Sequence, residues 1–73
     1  MESLRTPQYL AEVVRTERRD QGMDQRTLAL VANVSVRSVF RIENAQETVR
    51  LDTLLRVLQA LGLELQVHHR GGR

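Results

Sequence analysis

The sequence contains no cysteine, no lysine and no long run of apolar residues. Without cysteine the chain can form neither a disulfide framework nor a cysteine-based zinc site, which agrees with a reducing compartment. No apolar run approaches the roughly 18–20 residues of a membrane helix, and the N-terminal MESLRTPQYL lacks the apolar core of a signal peptide. We therefore expect a soluble, cytoplasmic protein with no membrane partner.

The 73 residues suffice for one domain, near the lower size limit for folding without disulfides or metal. Oligomerisation is therefore expected to add stability. The net charge is only +2, so composition alone is weak support for a nucleic-acid partner. All eleven basic residues are arginine, whose planar fork suits phosphate and guanine. The base composition of the source genome explains the same bias, and the sequence leaves both explanations open.

Residues 24–43, DQRTLALVANVSVRSVFRIE, contain two short helical patterns that share one apolar face. The first follows Asp24, a good N-cap, and runs from Gln25 to Ala32, while the second follows the N-cap Ser35. Helical spacing turns the following residues inward: Leu28, Ala29, Val31, Ala32, Ser38, Val39 and Ile42. The pattern predicts a helix-turn-helix.

The turn between these helices needs a residue whose backbone adopts the left-handed conformation, and Asn33 occupies that position. Val34 is then expected to fill the angle between the helices. At 100° per residue, the surface opposite Ile42 holds Arg37, Phe40 and Asn44. Val36 and Arg41 lie at its two edges. This surface is the predicted reading face.

A first helix is predicted from Pro7 to about Gln21, because Thr6 is a good N-cap and proline suits the first helical position. Its apolar stripe contains Leu10, Val13 and Val14, and the next step along it is Arg18. A charged residue on the core stripe needs a partner, and Glu43 can accept its fork. The alternative is that Arg18 reaches solvent and Glu43 is simply hydrated.

A last helix follows a connecting segment, NAQETVR, at residues 44–50. Its predicted core stripe is Leu51, Leu54, Leu55, Leu58 and Leu61. Gly22 and Gly62 stand where left-handed C-cap residues are expected, after the first and last helices, and Met23 is expected to pack inward.

The hydrophobic period then changes to two, with apolar residues alternating along a predicted strand at 63–69. They are Leu63, Leu65 and Val67. The chain offers no second strand, so we predict an antiparallel pairing with a second subunit. The alternative is a disordered tail at 63–73. Residues 1–6 and 70–73 are expected to be flexible in either case.

The segments GMDQRTLALVANVSVRSVFRIENAQ and RLDTLLRVLQALGLELQV resemble the XRE/Cro-type helix-turn-helix family, and specifically its HipB-like antitoxin branch. The resemblance covers roughly residues 7–67. The core ending in R-I-E-N is typical of the whole superfamily, whereas the terminal L-G-L-E-L-x-V points to the branch. The chain departs from the family pattern where Asn33 replaces the turn glycine and Ala45-Gln46 replace Gly-Lys.

This resemblance implies an all-α, lambda-repressor-like domain of four to five helices at residues 7–62, with a C-terminal strand that pairs across a homodimer. It also implies an arginine–glutamate pair like Arg18–Glu43, operator DNA at the nucleoid as partner, and repression of the chain's own operon. A HipA-like serine/threonine kinase is the second implied partner. Exposed Leu30 on the second helix supports such a protein contact weakly. A stand-alone or phage-type regulator remains the alternative.

For DNA binding, the second helix of the motif is expected to enter the major groove of a pseudo-palindromic site. Arg37 and Arg41 are the expected base readers, and Val36 and Phe40 are expected to touch thymine methyl groups. Arg41 has an alternative role, in which it pairs with Glu47 or with phosphate. The expected backbone contacts come from Gln25, Arg26, Ser35 and Asn44.

Features of an enzyme are missing from the sequence. No glycine-rich phosphate loop, activated nucleophile or paired carboxylates are found. His68 and His69 are adjacent, so on a strand they point in opposite directions and cannot chelate one metal together. We therefore expect no catalytic site, no metal and no cofactor.

Overall fold

In the computed structural model, which describes residues 6–46 and 48–69, the chain folds into four α-helices. They are α1 (Pro7–Asp20), α2 (Gln25–Ala32), α3 (Val36–Glu43) and α4 (Leu51–Ala60). Within the described residues none belongs to a β-strand, so the strand at 63–69 stays a prediction that requires a second chain. The predicted flexible ends, apart from Thr6, lie outside the described residues.

Three helices begin at side-chain N-caps that the sequence predicts. The side chains of Thr6, Asp24 and Ser35 each accept a hydrogen bond from the backbone N–H three residues later, at 3.2, 2.7 and 3.0 Å. Each bond satisfies a donor that the first helical turn leaves open. Helix α4 follows Arg50, whose side chain makes no such bond.

All four helices end in the same way, with a residue of positive φ after the last turn. These residues are Gly22, Asn33, Ala45 and Gly62, at φ 73°, 60°, 57° and 78°. In each case the next residue donates its backbone N–H to a carbonyl five positions earlier, which closes a Schellman motif. Ala45 is the costly member, because a left-handed conformation costs an ordinary L-residue about 1–2 kcal/mol.

The core lies where α1, α2, α3 and α4 meet. Its buried residues are Val14, Leu28, Ala29, Ala32, Val39, Ile42, Val57, Leu58 and Leu61. Three residues that follow the left-handed turns, Met23, Val34 and Leu63, pack against this cluster. The turns therefore do more than end the helices, because each of these three directs an apolar side chain back onto the core.

Two expectations about the core are wrong. The helical spacing predicts that Val31 faces inward, but it is 58% exposed, because Leu28, Ala29 and Ala32 already fill the buried side of α2. On α4, Leu51 and Leu55 are 63% and 41% exposed, and Val57 is fully buried instead.

The error on α4 is a rotation of the helix. At 100° per residue, the positions that face the core span about 100° of arc. They are Leu54, Val57, Leu58 and Leu61. Leu51 and Leu55 lie beyond one edge of this arc. A helix with six apolar residues on one half of its surface has two similar stripes, and spacing alone does not choose between them.

Candidate nucleic-acid interface

The angle between α2 and α3 is set by a three-residue turn. Asn33 adopts the left-handed conformation, with φ 60° and ψ 47°, and its backbone N–H bonds back to the end of α2. Val34 donates its N–H to the carbonyl of Ala29 at 3.0 Å and packs on the core. Ser35 then caps the start of α3, so that three residues separate the two helices, as the helix-turn-helix prediction requires.

The outer face of α3 is open to solvent. Val36 and Phe40 are 41% and 51% exposed, and Arg37 between them is exposed with no hydrogen-bond acceptor among the described residues. A shallow groove runs along this face, lined by Gln25, Val36, Arg37, Phe40, Arg41 and Gln46. We call this surface the α3 face. It combines two apolar side chains with a guanidinium that has no partner in the described part of the chain.

Other predicted site residues already have partners inside the domain. Arg41 donates from Nη2 to the carbonyl of Thr48 at 3.2 Å, and Asn44 donates from Nδ2 to the carbonyl of Phe40 at 2.8 Å. The Ser35 hydroxyl lies 2.9 Å from the Ser38 hydroxyl. Arg41 and Asn44 thus support the end of α3 and the loop after it, whereas none of the described residues accepts a hydrogen bond from the Arg37 guanidinium.

Glu43, the last residue of α3, joins three helices. Its carboxylate accepts from Arg18 of α1 through Nε at 2.6 Å and through Nη2 at 2.9 Å. It also accepts from the side-chain amide of Gln25, the first residue of α2, at 3.1 Å. Arg18 adds a bond from Nη1 to the carbonyl of Met23 at 2.9 Å. Both charged residues are buried, with 8% of Arg18 and 3% of Glu43 exposed.

The electrostatics of this cluster favour the ionised carboxylate. Burial raises the pKa of Glu43, but the hydrogen bonds from Arg18 and Gln25 and the charges of Arg18 and Arg15 outweigh burial, so the pKa lies below its usual value. The hydrogen bond to Glu43 likewise raises the pKa of Arg18. The pair is charged throughout the physiological range.

Sequence reasoning assigned Gln25 to phosphate and missed its bond to Glu43. It also missed Arg15, which donates from Nη1 to the carbonyl of Glu43 at 3.0 Å, and Gln21, which donates to the carbonyl of Leu61 at 2.9 Å. Gln21 and Leu61 lie 40 positions apart, and no local pattern signals such contacts. Arg15 had one available signal, because it lies one turn before Arg18 on the same helix.

The remaining predicted residues lie at the edges of the domain. Arg26 is exposed in the first turn of α2 and follows Gln25, which lines the groove of the α3 face. Leu63 is half-buried against the core, whereas Leu65 and Val67 are 47% and 94% exposed. Leu30, on the outer side of α2, is 82% exposed.

The described residues hold no group of three or more His, Cys, Asp or Glu side chains placed to bind a metal ion. Nor do they include a helix with the length and apolar character to cross a membrane.

A compact four-helix domain with α3 exposed after a three-residue turn defines a helix-turn-helix protein. A helix-turn-helix family model matches residues 14–67, and the chain belongs to this family of XRE-type transcriptional regulators. It is 33% identical over 70 residues to an uncharacterized HTH-type transcriptional regulator, y4mF, of Sinorhizobium fredii (strain NBRC 101917 / NGR234). That alignment covers 96% of this chain and 92% of the relative.

Two solved structures show the same fold. They are a HipA-HipB-O2-O3 complex and a HipB-O4 20mer complex, each with a TM-score of 0.78 and 25% sequence identity. Each match covers 88% of this chain and 90% of the solved chain. The predicted resemblance to the XRE-type family and to HipB is confirmed.

Proposed function

We propose that the chain is a sequence-specific DNA-binding repressor that acts as a homodimer, each subunit placing α3 in the major groove of operator DNA. The observation that carries the proposal is the α3 face, where Arg37 is unpaired among the described residues between exposed Val36 and Phe40. Arginine reads guanine by two parallel hydrogen bonds, and apolar side chains contact the thymine methyl group.

In this assignment Arg37 is the principal base reader. Arg41 keeps its remaining N–H groups for a base or a phosphate, because one donor is engaged by Thr48. Arg26 and the Ser35 hydroxyl meet phosphate. Gln25 has a second amide hydrogen for the same purpose and also holds Glu43. These phosphate contacts fix register and carry no base identity.

The proposed homodimer rests on the apolar surface that one chain leaves uncovered. Leu51 and Leu55 of α4, together with Leu65 and Val67 after it, are all more than 40% exposed. Covering these side chains with a second copy would remove their apolar surface from water, and the alternation at 63–69 suits a strand that pairs with its twofold-related copy.

A second function, compatible with the first, is that of an antitoxin that neutralises a HipA-like kinase. It is favoured by the likeness to the HipB chain of a HipA-HipB complex and by the exposed Leu30 and Val31 on the outer side of α2. Finding a kinase-like gene beside the gene for this chain would support the antitoxin function. Its absence would favour the alternative, a stand-alone or phage-type regulator.

In vitro selection of random duplexes with the wild-type chain, followed by hydroxyl-radical footprinting, tests the DNA-binding proposal. Twofold symmetry with α3 in successive major grooves predicts a pseudo-palindrome whose half-site centres lie roughly 34–36 Å apart. A selection that enriches no sequence, or a footprint with one unsymmetrical protected patch, contradicts the proposal.

A further inference from the structure

Every carbonyl at the C-terminal end of α3 has a donor, and one donor comes from another helix. The carbonyls of Phe40, Arg41 and Ile42 accept backbone N–H groups from the turn that follows. The last carbonyl, that of Glu43, accepts from the guanidinium of Arg15 on α1, at 3.0 Å. Helix ends leave such carbonyls open unless a partner is supplied, so Arg15 completes the set.

Arg15 and Arg18 lie one turn apart on α1 and hold the same residue at two points. Arg18 binds the side-chain carboxylate of Glu43, and Arg15 binds its backbone carbonyl. A cation at this end also complements the partial negative charge of the helix C-terminus. The Arg18 bonds reach the backbone of α3 only through the Glu43 side chain, whereas the Arg15 bond is made to the backbone itself.

We infer that Arg15 is a positioning residue for DNA recognition, which sets the tilt of α3 and so the place of Arg37 in the major groove. The inference rests on the proposed function. Arg37 lies six residues before Glu43, about 9 Å along the helix, so a small rotation at the clamped end displaces its fork. A bidentate base contact depends on that geometry, whereas phosphate contacts tolerate more displacement.

The surroundings of Arg15 favour positioning over a direct phosphate contact. Its side chain is half-buried, and the groove beside it includes Tyr9, Glu12 and Asn44. A carboxylate at that place repels phosphate. Among the described residues, by contrast, those that line the groove of the α3 face include no acidic side chain.

The test compares Arg15→Gln with wild type on two probes, the duplex most enriched by the wild-type chain and a scrambled duplex of equal length. We expect affinity for the enriched duplex to fall about tenfold, because a displaced fork loses a base contact. Affinity for the scrambled duplex and the slope of log K against log salt are expected to stay unchanged. Arg19→Gln, an exposed arginine on the same helix, is the matched control and leaves all three values unchanged.

Arg15→Lys provides rescue, because lysine keeps the positive charge and N–H donors near the carbonyl. Arg15→Lys is expected to restore at least part of the preference for the enriched duplex over the scrambled duplex, and failure to do so overturns the inference. A fall of equal size on both duplexes, with the salt slope smaller by about 0.9, identifies a phosphate contact and also overturns it. The inference is likewise overturned if Arg15→Gln lowers the melting temperature but leaves the ratio of the affinities for the enriched and scrambled duplexes unchanged. A wild-type chain that does not discriminate the two duplexes refutes the proposed function itself.

Discussion

Glu43→Ala is expected to lower the free energy of unfolding by about 3–5 kcal/mol, the usual cost of removing one partner from a buried ion pair. The substitution leaves the guanidinium of Arg18, only 8% exposed, without its carboxylate and removes the acceptor of the Gln25 amide. It also removes the side chain that links α3 to Arg18 of α1 and Gln25 of α2. For a domain of this size the melting temperature should fall by roughly 15 °C or more.

Thermal melting followed by circular dichroism measures the effect. Glu12→Ala is the matched control, because Glu12 is an exposed glutamate on α1 and no hydrogen bond or ion pair joins it to another described residue. A shift for Glu43→Ala no larger than that of the control would show that the pair contributes nothing to stability.

The same pair makes stability depend on pH in a defined direction. The pKa of Glu43 is lower in the folded protein than in the unfolded chain, where a glutamate titrates at about 4.3. As pH falls, the unfolded state therefore takes up the proton first. The contribution of Glu43 is complete above the unfolded pKa and is lost as pH falls through the folded one.

Asp24 also has a lowered pKa, through its hydrogen bond from the Thr27 backbone, and it shows the same sign of pH dependence. Glu43→Gln leaves Asp24 in place. The difference between wild type and this variant over the acid range therefore isolates Glu43.

Removal of residues 64–73 is expected to convert the protein to a monomer. Operator binding should weaken by about 10²–10⁴-fold, because each subunit then binds its half-site without being linked to a second DNA-binding subunit. The cut falls after Leu63, since this residue packs on the core and its N–H closes the turn after α4 at 2.8 Å. The melting curve of the isolated domain should therefore remain cooperative.

Sedimentation at micromolar concentration measures the mass of the truncated chain. A full-length variant with Leu65→Thr and Val67→Thr tests the predicted apolar side of the strand, and Gln66→Ala on the opposite side is its control. A truncated chain that still sediments as a dimer would exclude residues 64–69 as the main interface and leave the exposed Leu51–Leu55 edge of α4 in that role.

Local signals in the sequence predict most of this fold. Asp24, Ser35 and Thr6 mark the helix starts because each cap bonds a backbone donor three residues on. Asn33 marks the turn because few other residues tolerate φ near 60°. Such features depend on neighbours within five positions, so they can be recognised in the amino-acid sequence alone.

Contacts between distant positions can be predicted from the sequence only where a residue would be costly to bury without a partner. Arg18 on an apolar stripe required a carboxylate, and Glu43 supplies it. Nothing in the sequence indicates that Arg15 and Gln25 need a partner, since both look like ordinary solvated residues. The rotation of α4, which buries Val57 and exposes Leu51, depends on the shape of the surface formed by α2 and α3. That surface exists only after the chain has folded.

The central claim, that α3 reads bases through Arg37, is tested most directly by measuring Arg37→Ala against a panel of duplexes that each change one base pair of the enriched site. We expect a cost of about 1–3 kcal/mol on the enriched duplex and a loss of discrimination at one position in each half-site. Arg26→Ala, an arginine assigned to phosphate, should weaken all duplexes equally. If Arg37→Ala lowers affinity for every duplex, scrambled DNA included, by the same factor, Arg37 binds phosphate and α3 does not read the sequence through it.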